Sequence, residues 1–317
     1  MKKIAFVFFF LTLFAVTNGQ NTFRHLTTAA NISGAKSVIN DPLTNNKPNA
    51  ILFISVKWTD NGDSYGNRYR QNAAVQYNTA KDRWMIVNEN GSPMPEGVEF
   101  NVLVAPENNP NYFTQSGTTE LHYMMIDHPA TNGKPLALVI VTQNLGSDNA
   151  PSPTNDNSQL TFYNQGKWRI GNNNYFLPTC PPGNVIMPKG VKFNVMVIGN
   201  GGKEGVSGLP NATAYMHHAT HRGKQSITNI SYVQQQATWL DRSAVPPNTG
   251  TFVFVTPSWG WSQPERPAGM PIAQQYTDSP MAVWFSRPST DAWSAVNANG
   301  VPIREGVLLH VVAVKKP

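Results

Sequence analysis

Three times along this chain a tryptophan is followed four residues later by an asparagine, and then by a turn glycine that opens a second apolar run. Residues 84–104 read WMIVNENGSPMPEGVEFNVLV, residues 168–197 read WRIGNNNYFLPTCPPGNVIMPKGVKFNVMV, and residues 293–314 read WSAVNANGVPIREGVLLHVVAV. The step from Trp84 to Gly97 equals the step from Trp293 to Gly306. The middle copy reaches Gly190 after an insertion that holds the single cysteine, Cys180. An internal repeat constrains the fold more than any bulk figure, because each copy is one structural unit whose apolar face must be covered.

The similarity runs beyond these stretches. Ile39, Ile126 and Leu240 fall in one column, and Ile54, Val141 and Val255 in another. FRHLTT from Phe23 matches YMHHAT from Tyr215. The repeats span 22–106, 113–199 and 213–315, about 85–105 residues each. That is too long for a propeller blade or a solenoid turn, and close to the ~100 residues of a β-sandwich.

Apolar residues alternate or cluster in short runs rich in Val, Ile, Phe, Trp and Tyr, bounded by Asn, Gly, Pro, Ser and Asp. This is the strand-and-turn signature. The fold class expected is all-β, as three tandem β-sandwich-like repeat domains. AILFISVKW, LALVIVT and TFVFVT read as strands buried on both faces, and AAVQY, LTFYN and MAVWF as half-exposed ones.

Period-two alternation sets Phe100, Val102 and Val104 on one face of their strand and Glu99, Asn101 and Leu103 on the other. Met-Pro-x-Gly before that strand predicts a tight turn with Gly97 or Gly190 at positive φ. Asn88, Asn172 and Asn297 are placed to fasten the chain leaving each Trp strand. Two uses compete for Trp84, Trp168 and Trp293, as core or as sugar-stacking platforms. Their alternation with Ile, Val and Ala favours the core.

If the shared positions are scaffold, binding belongs to the segments that diverge. These follow each central buried strand, at 57–71, 143–158 and 257–279. The third carries Trp259, Trp261, Glu265, Arg266 and Tyr276 on a Pro- and Gly-rich stretch, and the first carries Asp60, Asp63 and Tyr65. Aromatics beside polar and charged groups build ligand surfaces. The first stretch lacks the acid ladder of a calcium loop. His217, His218 and His221 suggest a metal, but His217 falls in register with His25, which favours a structural role. No metal and no cofactor are expected.

There is no H-E-x-x-H, no G-x-S-x-G and no phosphate-binding glycine loop. The chain reads as a non-enzymatic protein. Glycosidase carboxylates come from distant strands, however, so a secreted glycan hydrolase stays as an alternative. Lys2 and Lys3 precede an apolar run from Ile4 to Val16, a signal peptide over residues 1–20 cleaved near Gly19/Gln20. The expectation is a secreted, extracellular protein without stable membrane insertion. A formal net charge of +6 is scattered, with no basic stripe, so nucleic acid is not an expected partner. One cysteine forms no internal disulfide.

The combination I-D-x-P, W-x-I-x-N and M-P-x-G-x-x-F-N-V-L-V resembles a tandem-repeat family of secreted bacterial proteins with no characterised activity. His25, Ile126, Asp127, Pro129, Ala137, Trp84, Asn88, Met94, Pro95 and Gly97 carry it. The resemblance implies export and tandem β-domains, and brings no catalytic residues. The leading expectation is a binding or structural protein in surface attachment or extracellular assembly, acting through the divergent loops. A lectin-like glycan-binding protein is the alternative. Expected partners are cell-surface or extracellular glycans, or further copies of the chain.

Overall fold

A computed structural model describes residues 21–58, 69–117, 119–120, 122–173, 186–199, 202–219, 237–262, 265–268, 280–286, 292–298, 303 and 306–316. Those residues are all-β, with no α-helix among them. Repeat one holds β1 (Thr22–Leu26), β2 (Ile32–Ser33), β3 (Lys36–Val38), β4 (Leu52–Trp58), β5 (Ala73–Asn78), β6 (Arg83–Asn88) and β7 (Glu99–Val104). Repeat two holds β8 (Tyr112–Ser116), β9 (Thr119–Glu120), β10 (Tyr123–Met125), β11 (Leu138–Ser147), β12 (Ala150–Pro151), β13 (Gln159–Asn164), β14 (Lys167–Asn172) and β15 (Lys192–Ile198). After the joining strand β16 (Glu204–Val206), repeat three holds β17 (Leu209–His218), β18 (Ala237–Trp239), β19 (Thr251–Trp261), β20 (Met281–Ser286), β21 (Ala292–Asn297) and β22 (Leu308–Lys315).

Each repeat divides its strands into two antiparallel groups. The inner groups are β1-β7-β4, β8-β15-β11 and β17-β22-β19, and the outer ones are β3-β6-β5, β10-β14-β13 and β18-β21-β20. The two groups of a repeat face each other across a core of its own. Every sheet, however, joins the inner group of one repeat to the outer group of another. β11 pairs in parallel with β5, β19 with β13, and β4 with β20. These three parallel seams close the repeats into a ring with pseudo-threefold symmetry. A fourth core fills the middle, where Phe53, Leu103, Leu138, Ile140, Met196, Phe252, Phe254 and Val312 come together from all three repeats.

That central core explains why β4, β11 and β19 are apolar on both faces. One face packs in the repeat's own sandwich and the other on the axis. β5 and β13 are more buried than half-exposed strands, with four consecutive buried residues each. The strand joined to β5 across the seam also brings Leu145 onto its outer face, where it packs with Ala74, Met85 and Val87.

The threefold hairpin is framework. Trp84, Trp168 and Trp293 are at most 2 % exposed. Each indole N–H donates to a carbonyl at the equivalent position, Lys47 O at 2.9 Å, Lys134 O at 2.9 Å and Asn248 O at 3.2 Å. A buried tryptophan thus ties down the loop that leads into its central strand. Gly97, Gly190 and Gly306 take φ of 79°, 85° and 90°, the left-handed conformation the turn requires. Asn88 fastens the chain as expected, donating to Ser92 O at 2.8 Å and Pro93 O at 3.1 Å. In repeat two Asn172 pairs with Asn155, through bonds of 2.7 and 3.0 Å. Cys180 lies outside the described residues.

Candidate binding site at the pseudo-threefold axis

The face of the second hairpin strand that carries Asn101 holds the ring together. Asn101, Asn194 and His310 are equivalent, and all are fully buried. The neighbouring positions Ser55, Thr142 and Thr256 on the central strands are also equivalent and buried. Each pair grips the backbone of another repeat. Ser55 Oγ and Asn101 Nδ2 donate to Val253 O at 2.5 and 3.1 Å. Thr142 Oγ1 accepts from Ile54 N at 3.2 Å, and Asn194 Nδ2 donates to Leu52 O at 2.9 Å. Thr256 Oγ1 accepts from Val141 N at 3.1 Å, and His310 Nδ1 lies 3.0 Å from both N and O of Val139. Leu52, Val139 and Val253 are again equivalent, so one interaction is made three times. Buried polar groups need partners, and here the partners are the neighbouring repeats. Burial pushes the His310 imidazole down to about 4.

Beside this polar layer is a pit of about 90 Å³. Its floor is three equivalent segments of the central strands, Ile54–Val56, Val141–Gln143 and Val255–Pro257. Its rim is Gln71, Asn72 and Ala73, then Ser158 and Gln159, then Pro280 and Met281. A pit lined by equivalent residues of all three repeats straddles the axis. The rim residues are the points where the three divergent segments return to the scaffold.

Two of the segments begin later than expected. β11 and β19 continue to Ser147 and Trp261, into stretches that read as loop, whereas β4 ends at Trp58 with the strand AILFISVKW. Trp261, expected on an exposed loop, is 5 % exposed in the core of repeat two and donates to Pro135 O at 2.6 Å. Gly260, at φ 78°, bulges the strand where its register with β13 shifts and turns Trp261 inward. Trp259 stands half-buried against Phe162, ring centroids 5.9 Å apart. Glu265 accepts the N–H groups of Gln165 and Gly166 at 2.6 and 2.7 Å, which clamps the β13–β14 turn. Arg266 follows, half-buried. Tyr276, Asp60, Asp63 and Tyr65 lie outside the described residues.

The histidines hold structure. His25 Nε2 is 2.7 Å from Ser37 Oγ, and His217 Nε2 is 2.8 Å from Thr238 Oγ1, at equivalent positions. Burial pushes both rings down to about 4. His221 lies outside the described residues. Among the described residues no three His, Cys, Asp or Glu side chains gather where a metal could bind. No helix among them is long and apolar enough to cross a membrane.

One further polar group sits at the seam of repeats one and two. Glu89 is 5 % exposed, and its Oε2 accepts the Asn155 N–H at 3.2 Å. Its Oε1 has no hydrogen-bond partner. Burial first, and then the neighbouring Asp156, hold the carboxyl well above the usual range. Asp156 accepts from Asn72 Nδ2 at 3.0 Å, which links this seam to the rim of the pit.

The molecule is therefore a ring-closed β-sandwich repeat protein with one axial opening shared by its three units. The chain belongs to the family described as Domain of unknown function (DUF7452), which matches residues 8–104 and again residues 74–197. No curated protein and no solved structure matches it. The two overlapping matches fall on repeats one and two, where the M-P-x-G turn is intact.

Proposed function

We propose that this is an exported, non-enzymatic binding protein that attaches to extracellular surfaces through the axial face of its ring. One observation carries the reading, namely that the three segments that differ between repeats all return to the rim of one pit. The positions shared by the repeats build cores, turns and ring contacts. Variation is concentrated around a common opening, the arrangement of a rigid scaffold presenting a variable surface. The apolar run after Lys2 and Lys3 supports export.

The test is attachment of the purified chain to cells and to immobilised extracellular polysaccharide. Asn72→Lys with Gln159→Lys, placing two charges on the rim, is expected to abolish attachment. Glu107→Lys, on the join between repeats one and two, is expected to leave it intact. Equal attachment by both variants refutes the assignment of the face. Turnover of a polysaccharide, lost on changing one acid, would refute the non-enzymatic reading.

A further inference from the structure

The lining of the pit names a ligand chemistry, and this step rests on the axial face being the binding face. Among the described residues no Asp, Glu, Lys, Arg or His lines it. Its walls combine aliphatic groups of Ile54, Val141, Val255 and Met281 with hydroxyls and carboxamides of Thr142, Ser158, Asn72 and Gln159. A charged group entering such a site gives up hydration and meets no counter-charge among the described lining residues, which is unfavourable. A purely aliphatic group leaves the hydroxyls of Thr142 and Thr256 without an acceptor, at a cost of about 1–3 kcal/mol each. A neutral group that alternates C–H and O–H satisfies both kinds of wall.

The hydroxyls have capacity for it. Thr142 Oγ1 and Thr256 Oγ1 already accept backbone N–H groups across the ring, at 3.2 and 3.1 Å. A hydroxyl is one donor and two acceptors, so each of these threonines keeps its O–H to give. Gln71, Asn72 and Gln159 are half-buried on the rim, where Asn72 bonds Asp156 and Ser158 and Gln159 bonds the backbone of Asn155 and Asn157. Size sets a further limit. About 90 Å³ of water-accessible space holds several waters, which is room for an inserted hydroxylated arm.

We infer that the pit receives the neutral hydroxylated end of a polyol or glycan, one arm inserted on the axis and the remainder resting on Asn72, Gln159 and Met281. All three repeats contribute to the pocket, so one chain offers one such site and not three.

The experiment uses the full chain with glycerol, sorbitol, glucose and galactose as neutral probes, and glucuronate and glucosamine as charged ones. Binding is read by saturation-transfer NMR and by shifts of the side-chain amides of Asn72 and Gln159. Neutral probes are expected to bind at one site per chain and to shift both amides, with the charged probes at least tenfold weaker. Ala73→Leu fills the rim from a half-buried position and is expected to lower affinity at least tenfold with unchanged thermal unfolding. If Ala73→Leu unfolds, Gln159→Ala replaces it, with loss of the Asn72 shift expected. Water alone in the pit, equal binding of charged and neutral probes, or saturation at three sites overturns the inference. Attachment lost in the rim variants without any probe binding would overturn the ligand class and leave the binding face standing. Probe binding without attachment would do the reverse.

Discussion

Replacing Glu89 by Gln isolates the cost of burying one carboxyl between two repeats. In the folded chain Glu89 is 5 % exposed with Oε1 unpaired, and its pKa is raised well above 4.5 by burial and then by Asp156. In the unfolded chain it titrates near ~4.3. The folded state therefore holds this proton more tightly. The stability it brings is complete below the unfolded value and is lost as pH rises toward the folded one. A one-proton difference has a slope of about 1.4 kcal/mol per pH unit, which is the ceiling on what Glu89 costs the wild type from pH 5 to pH 6. Glu89→Gln keeps an oxygen for the Asn155 N–H and turns an amide toward Asp156, with no proton to lose. Urea unfolding of both proteins at pH 5 and pH 6 gives the answer as a difference of differences, in which the remaining titrating groups cancel. The variant is expected to gain on the wild type over that interval, by up to about 1.4 kcal/mol. Parallel profiles would refute the reasoning and show that Glu89 ionises freely in the folded ring.

Other expectations follow from the same contacts. His310→Asn installs the residue that repeats one and two carry there. Because burial pushes the His310 ring down to about 4, wild-type stability falls as pH drops below the unfolded value near ~6.5, and the variant should lose less over that range in acid unfolding. Asn194→Leu removes bonds to Leu52 O, Asn144 and Thr114 at 2.9, 2.8 and 2.9 Å and is expected to cost about 2–4 kcal/mol in urea unfolding. Trp168→Ala should cost about 3–5 kcal/mol by cavity formation, and at temperatures where the variant is folded it should attach to surfaces as the wild type does. Among the described residues Gly190→Ala meets only Pro153 Cδ at 4.0 Å, so its expected loss of about 1–2 kcal/mol is assigned to backbone strain, checked by thermal unfolding.

Local order was legible because local physics writes it. Alternation exposed the strands, Met-Pro-x-Gly announced a turn glycine at positive φ, and the position of Trp84 among Ile86 and Val87 placed its ring in a core. Ring closure was not legible. The pairing of Val56 with Ala282 joins residues with no turn or spacing to link them, and a parallel seam leaves no hairpin signature. Asn101, Asn194 and His310 did sit at one register, and their shared polarity on a face with Leu103, Met196 and Val312 was the available hint of a buried contact. Trp261 was misplaced because Pro257 and Gly260 imitate a loop, whereas β19 runs through both with a bulge. The pit escaped sequence reading because it is assembled from short pieces of three repeats, none of which forms a pocket alone.

The seam between β4 and β20 also bears on how the chain reaches its native state. β4 belongs to the first repeat made and β20 to the last, so the first sheet cannot be completed until nearly the whole polypeptide is present. Contacts this far apart in sequence fold slowly, because chain entropy is lost before any pairing energy is gained. Until then β4 presents an open, apolar edge of the kind that recruits other chains. Ring closure should accordingly be the late, rate-limiting event of folding, with chain association its main competitor.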